Sequence, residues 1–153
     1  MTPDIKFTPN FSLHELLLTN HRKFDEEQYN PPAEIIENLR ALCVHVLQPL
    51  RDALGTPVNI NSGYRCPSLN KAINGSKNSQ HMSGQAADIV DHTHGNEFLY
   101  RKIVELNLPF DQIIDEFGFR WVHVSYDPSR NRKQQLQAVK DSSGKTIYIQ
   151  PRW

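Results

Sequence analysis

The longest regular pattern of apolar positions lies between residues 33 and 54. Its apolar side chains recur at the spacing of an α-helix and form one broad face: Ile35, Ile36, Leu39, Leu42, Cys43, Val46, Leu47, Leu50 and Leu54. Asn30, followed by two prolines, predicts the start of this helix. Pro49 predicts a kink near its end, and Gly55 predicts its termination. A second amphipathic pattern predicts a helix that begins at Asn96.

Shorter segments with strand character hold most of the remaining apolar positions. They are residues 58–62, 86–90, 112–117, 121–126, 134–139 and 145–149. Because helices and strands do not alternate regularly, we predict an α+β fold with a mainly antiparallel sheet and flanking helices. The 153 residues suit a single domain. Within it, we predict an N-terminal arm at residues 1–30 and a C-terminal hairpin extension at residues 128–153.

Composition narrows the classes of partner. The 17 basic residues balance the 17 acidic ones, so nothing indicates a nucleic-acid partner. Apolar runs are too short to span a membrane, and the N-terminus shows no signal peptide, so we expect synthesis in the cytoplasm. Cys43 and Cys66 form no metal-binding pair, and two free thiols are favoured over a disulfide.

Three polar residues could together form a metal site. His81 and Asp88 lie seven positions apart with Gly84 between them, and His123 lies in a later strand. If the strands of Asp88 and His123 pair, both side chains share one face, and a turn at Gly84 can bring His81 to them. Three protein ligands with an open fourth position are typical of catalytic zinc. The spacing alone leaves a second interpretation open, in which these are ordinary polar residues.

Arg65 is the other candidate for chemistry. It lies in a loop rich in glycine and proline, without an acidic neighbour in the sequence. It is either a surface arginine or a fixed cation that binds a carboxylate or an oxyanion, a task for which the planar guanidinium is well suited. The remaining histidines are interpreted as surface residues: His14 and His21 lie among polar neighbours, His45 lies on the polar side of the predicted helix, and His92 and His94 lie in a polar turn, where they could bind a metal only adventitiously.

Three motifs in order resemble those of a known family. They are Ser62-Gly63-Tyr64-Arg65, Ser79-Gln80-His81 with Gly84 and Asp88, and Trp121-Val122-His123-Val124-Ser125. This set resembles the zinc D-Ala-D-Ala carboxypeptidase-like metallopeptidases, which share a fold with the hedgehog signalling domain. The chain looks most like the compact branch of bacteriophages and bacteria. The likeness extends from about Phe11 to Asp127, and the residues after it carry no motif.

The resemblance implies roles for individual residues. Zinc would be held by His81, Asp88 and His123, and Arg65 would grip the carbonyl or the terminal carboxylate of a peptide. A general base is expected upstream of His123. Several relatives have an acidic residue three positions before this histidine, where this chain has Arg120. The available acids are Asp115 and Glu116, of which Glu116 is favoured because Asp115 should point to the opposite face of the strand.

The function implied by the resemblance is a zinc-dependent peptidase that cleaves the peptide stems of bacterial peptidoglycan. It would be a D-Ala-D-Ala carboxypeptidase or, as in phage endolysins, an L-Ala-D-Glu endopeptidase. The alternative is a non-catalytic, zinc-containing module that binds the cell wall or belongs to a phage particle, as the missing acid at position 120 would suit. We expect a monomer whose partner is a peptidoglycan peptide. It would act at the cell wall after release, or as part of a virion.

Overall fold

The computed structural model describes all 153 residues, which form eight β-strands and six α-helices. The strands are β1 (Lys6–Thr8), β2 (Phe11–Ser12), β3 (Asn59–Ser62), β4 (Ala86–Val90), β5 (Gln112–Glu116), β6 (Trp121–Ser125), β7 (Gln134–Lys140) and β8 (Thr146–Ile149). The helices are α1 (Leu13–Leu17), α2 (Asp25–Gln28), α3 (Ala33–Leu42), α4 (Gln48–Leu54), α5 (Pro67–Ala72) and α6 (Asn96–Glu105). A short 3₁₀-helix, Arg22–Phe24, precedes α2, and a π-helical segment, Cys43–Leu47, joins α3 to α4.

Six of the strands form one sheet in the order β3-β4-β6-β5-β7-β8. All neighbouring strands are antiparallel except β5 and β7, which are parallel. The predicted α+β class with a mainly antiparallel sheet is therefore confirmed. The two C-terminal strands do form the predicted hairpin, and this hairpin extends the main sheet beyond β5.

The long helical pattern is interrupted where proline requires it. Pro49 lacks a backbone N–H, and its ring would clash with a carbonyl one turn earlier, so the preceding turn widens into the π-helical segment. Gly55 ends α4 in the left-handed conformation, with a φ of 70°. The predicted cap at Asn30 is wrong. Its side chain donates instead to the carbonyl of Glu26, and the helix begins at Ala33 behind the extended Pro32.

The two faces of the sheet have different surroundings. One face packs on the helices and supplies the apolar core, including Ile89, Ile113, Val122 and Val124. The residues that alternate with them face a cleft of about 840 Å³. The strand period of two therefore sends polar side chains into the cleft. None of the helices combines the length and hydropathy needed to traverse a bilayer, and both cysteines are buried free thiols, as expected.

Candidate active site

The pairing of β4 with β6 brings two of the predicted metal ligands together. Asp88 lies directly opposite His123 in the antiparallel register, and both side chains line the cleft. Ile114 of β5 lies on the other side of His123 in the same row. Directly opposite residues project to the same face, so this part of the centre follows from the alternation of two short strands.

The third predicted ligand comes from a tight turn before β4. Gly84 adopts a φ of 71°, and a Cβ at this position would lie 2.9 Å from the carbonyl oxygen of Ile35 in α3. Only glycine satisfies both the conformation and the close approach. The turn places His81 against Gly63, whose carbonyl accepts a hydrogen bond of 2.7 Å from Nδ1 of the imidazole. This bond assigns the proton of the neutral ring to Nδ1 and leaves the lone pair of Nε2 free for a metal ion.

Two of the separations between the three donor atoms are close to those of a small tetrahedral ion. Oδ1 of Asp88 lies 3.2 Å from Nε2 of His81 and 3.3 Å from Nδ1 of His123. All three ligand atoms lie within 4.8 Å of one another. Zinc–ligand bonds of ~2.0–2.2 Å at tetrahedral angles separate neighbouring ligand atoms by ~3.3–3.6 Å. With Nδ1 of His81 as donor, Nε2 and the carboxylate both present lone pairs to each other, which is favourable only with a cation or proton between them.

Electrostatics favour the ionised form of the carboxylate. Burial alone would raise the pKa of Asp88, but the two imidazoles that face it lower the pKa below its ordinary value. The negative charge suits a cation site. The histidine and aspartate donors are ligands that zinc uses in catalytic centres, so the residues fit the metal that the sequence predicted.

Arg65 lies at the edge of this centre, where contacts from several elements position it. One guanidinium nitrogen donates to Oδ1 of Asn70 at 3.1 Å, and another lies 3.9 Å from Oδ2 of Asp88. Its Nε is buried without a protein partner. Gln28, fully buried at the end of α2, bonds the backbone on both sides of Arg65, at Tyr64 and Cys66. The arginine is therefore held in place and keeps a free donor.

Glu116 and Asp115 occupy opposite faces of β5, as predicted. Glu116 lines the cleft at 8% exposure, and its carboxyl group makes no hydrogen bond within the protein. Burial, reinforced by the charges of Asp88 and Asp115 and opposed by His123 and Arg65, raises its pKa to about 7. A carboxyl group with this pKa can accept and return a proton near neutral pH.

Asp115 has a structural environment instead. Its fully buried carboxylate accepts hydrogen bonds from the backbone N–H of Phe119 at 2.6 Å and from the indole of Trp153 at 3.0 Å. The first bond closes the β5–β6 turn, where Phe117, Gly118 and Phe119 all have positive φ. Asp115 thereby holds the turn that follows Glu116. Arg120, which replaces the acid expected from relatives, lies in the same turn and does not line the cleft.

The histidines interpreted as surface residues lie outside the site. His45 is exposed and stacks on Tyr126 at 4.8 Å on the helix side of the sheet. His94 pairs with Asp91 in the loop after β4. The structure thus brings together Arg65, His81, Asp88, Glu116 and His123, and no other histidine joins them.

Comparison with known proteins agrees with this geometry. The family model for Peptidase M15 matches residues 9–125. The chain belongs to this peptidase family. Every residue of the centre, from Arg65 to His123, lies inside the matched range of this M15 peptidase. The donor set and the family together bear out the zinc cofactor that the sequence predicted.

One curated relative matches a shorter segment. The zinc D-Ala-D-Ala carboxypeptidase of Streptomyces albus G is 43% identical over 44 residues, which cover 28% of this chain and 17% of that protein. The M15 peptidase described here therefore aligns with less than a fifth of this relative. The similarity supports the family and leaves the bond that this chain cleaves to be argued from its own cleft.

Sequence reasoning missed the polar residues that brace the centre of this M15 peptidase. Gln80, next to His81, donates to the buried carboxylate of Asp111 at 2.9 Å. Arg132 binds the same carboxylate with two nitrogens, at 2.7 and 3.0 Å. Asp111 therefore links the His81 turn to the segment that leads into β7. Only the apolar residues around Asp111 hinted at its burial, and its partners are distant in sequence.

Proposed function

We propose that this M15 peptidase hydrolyses peptide bonds in the stems of bacterial peptidoglycan, using zinc held by His81, Asp88 and His123. The observation that carries the proposal is the conjunction, in one cleft, of this donor set with a buried, unpaired carboxyl group and a fixed arginine. Zinc bound there supplies a Lewis acid and a water molecule of lowered pKa. The other steps belong to residues of the chain.

Glu116 acts as the general base. It takes the proton from the attacking water and returns it to the leaving amine, two transfers that suit a carboxyl group whose pKa is raised by burial in the metal-free protein. It lies on the cleft face of β5, the strand next to the one that carries His123. Glu116 can therefore take the role of the acid that is absent at position 120, because it faces the same cleft from the adjacent strand.

Arg65 orients the substrate. Its charge, and the part of the guanidinium that remains accessible from the cleft, suit the carbonyl oxygen of the scissile bond, which becomes negative as the bond is attacked, or the terminal carboxylate of a D-Ala-D-Ala stem. Burial lowers the pKa of Arg65, while the charges of Asp88 and Glu116 oppose this effect, so the guanidinium remains a cation held beside the metal centre. A fixed donor needs little reorganisation when the negative charge develops.

The two candidate bonds release different products. Zinc-loaded protein would be incubated with the pentapeptide L-Ala-γ-D-Glu-L-Lys-D-Ala-D-Ala and with purified peptidoglycan. Released D-alanine identifies a carboxypeptidase, and a new amino terminus on D-glutamate identifies an endopeptidase. His81→Ala is the matched control. If wild-type protein with bound zinc releases neither product, the peptidase proposal is contradicted and a non-catalytic cell-wall or virion module takes its place.

A further inference from the structure

The C-terminal hairpin, β7 and β8, contributes one wall of the cleft. Six of the 22 residues that line the cleft lie beyond residue 125, where the match to the family ends. They are Arg132, Gln134, Leu136, Lys140, Thr146 and Tyr148. Because β7 pairs with β5, this wall is built directly onto the strand that carries Glu116. A segment without any recognisable motif is therefore part of the site.

The strand register places Tyr148 in the same row as Glu116. Glu116 lies opposite Ala138 in β7, and Ala138 lies opposite Tyr148 in β8. Strands lie ~4.8 Å apart, so the backbones of Glu116 and Tyr148 are ~10 Å apart, within the combined reach of their side chains. Between them the cleft face carries only the methyl group of Ala138. The row thus leaves a gap over which the phenol ring can lie beside the base.

The hydroxyl of Tyr148 is available as a donor. The ring lines the cleft together with Arg65 while the residue stays 55% exposed, and the hydroxyl makes no hydrogen bond within the protein. Partial burial and the charges of Glu116 and Asp88 raise its pKa, against the effect of Arg65, so the group keeps its proton at neutral pH. An exposed aromatic ring with a free donor is a common recognition element for ligands.

Lys140 adds a cation to the same wall. It lies two residues after Ala138 on the cleft face, where its ammonium group donates to Oγ1 of Thr146 at 2.7 Å and lies 5.1 Å from the ring centre of Phe117. Arg132, the other cation of this wall, is occupied by Asp111. Lys140 has no carboxylate partner, and so it is the one of these two cleft-lining cations that is free to pair with an anionic ligand.

We propose that the β7–β8 hairpin is a substrate-binding wall for a peptide that carries two carboxylates. Tyr148 donates a hydrogen bond to a carbonyl or carboxylate oxygen of the peptide beside Glu116, and Lys140 pairs with a second carboxylate farther along the cleft. This inference rests on the proposed peptidase function and adds specificity determinants to it. Both residues act by touching the substrate, so their loss should weaken binding without altering the metal centre.

Binding can be measured without turnover. In a zinc-loaded Glu116→Gln background, calorimetry with the pentapeptide L-Ala-γ-D-Glu-L-Lys-D-Ala-D-Ala reports affinity directly. We expect Tyr148→Phe to weaken binding roughly 3- to 10-fold, the usual effect of one neutral hydrogen bond. Lys140→Gln should weaken it roughly 2- to 5-fold at low salt, and this difference should shrink in high salt because the ion pair is exposed to solvent.

Matched controls separate this wall from general effects. Tyr126→Phe removes a hydroxyl on the helix side of the sheet, and Lys145→Gln removes an exposed charge in the β7–β8 turn; neither should change the affinity. Equal affinities in all five proteins, with hydrolysis by the wild type, would overturn the hairpin proposal and leave the peptidase function standing. A parent that binds no pentapeptide, with a wild type that hydrolyses none, would overturn both.

Discussion

Asp115 and Glu116 are adjacent acids with opposite surroundings. Asp115 faces the helices and is fully buried, yet both its oxygens accept hydrogen bonds. Glu116 faces the cleft and is almost as buried, but its carboxyl group has no hydrogen-bond partner in the protein. Burial with partners makes an acid a structural element, whereas burial without them raises its pKa and makes it a proton acceptor near neutral pH. The two faces of the sheet differ accordingly: the face covered by the helices is structural, whereas the face open to the cleft carries the candidate site.

The largest expected effects come from substituting one residue on each face of the sheet. His123→Ala removes a ligand on the open face, and we expect zinc affinity to fall by more than the ~10- to 100-fold that loss of an outer-shell partner costs. Ile113→Ala, on the covered face, should lower the free energy of unfolding by ~2–5 kcal/mol and leave zinc affinity almost unchanged. Metal analysis and denaturant unfolding measure the two effects. Zinc retention by His123→Ala would contradict the assignment of the centre.

Glu116→Gln tests the open-face acid alone. The amide keeps the size of the side chain but cannot accept the proton, so turnover should fall by ~10²–10⁴. Zinc content should stay close to that of the wild type, because Glu116 is not one of the three proposed ligands. Steady-state kinetics on the pentapeptide provide the measurement. An unchanged rate would remove Glu116 from the mechanism.

The raised pKa of Glu116 also predicts a dependence of stability on pH. In the metal-free protein the folded pKa of about 7 exceeds the ordinary value of 4.5, so the folded state binds this proton more tightly. The resulting stability is complete below pH ~4.5 and is lost as pH rises through ~7. Metal-free Glu116→Gln cannot ionise, and so it should gain up to ~3 kcal/mol relative to wild type between pH 4 and pH 8. A difference independent of pH would contradict the buried environment.

Asp115→Asn should have the smallest effect on catalysis. One amide oxygen can still accept from the N–H of Phe119, but the amide nitrogen then faces the indole N–H of Trp153. Two opposed donors in a buried site should cost ~1–3 kcal/mol of folding free energy. Turnover per zinc-loaded molecule should change far less than in Glu116→Gln. If turnover instead collapsed while stability held, the two acids would have exchanged roles.

The alternation of residues along the strands predicted which side chains share a face of the sheet. It placed Asp88 and His123 on one face and separated Asp115 from Glu116, because a period of two follows from local backbone geometry. The pairing of β5 with β7 could not be predicted in this way. It is parallel and links segments on either side of β6, so it depends on long-range packing that the local pattern does not encode.

The residues missed by sequence reasoning depend on that pairing. Tyr148 lies in a strand that was predicted, but its place beside Glu116 follows from the position of β8 in the sheet. The buried role of Asp111 likewise depends on Gln80 and Arg132, which are distant in sequence. For Asn30 the local sequence predicted a helix cap that the structure does not contain. Its side chain is suited to capping but donates instead to the carbonyl of Glu26.

The strand order also has a consequence for the folding of the protein during its synthesis on the ribosome. All three metal ligands and Glu116 leave the ribosome before β7, which fills the outer edge of β5. Until then β5 is an edge strand with unpaired backbone groups, and its acid is open to water. We expect the nascent chain to bind zinc before β7 pairs with β5 and buries Glu116. The chain would then hold its metal before it can catalyse hydrolysis. Stalled chains of increasing length would reveal this order through their zinc content and hydrolytic activity, and activity before β7 emerges would contradict it.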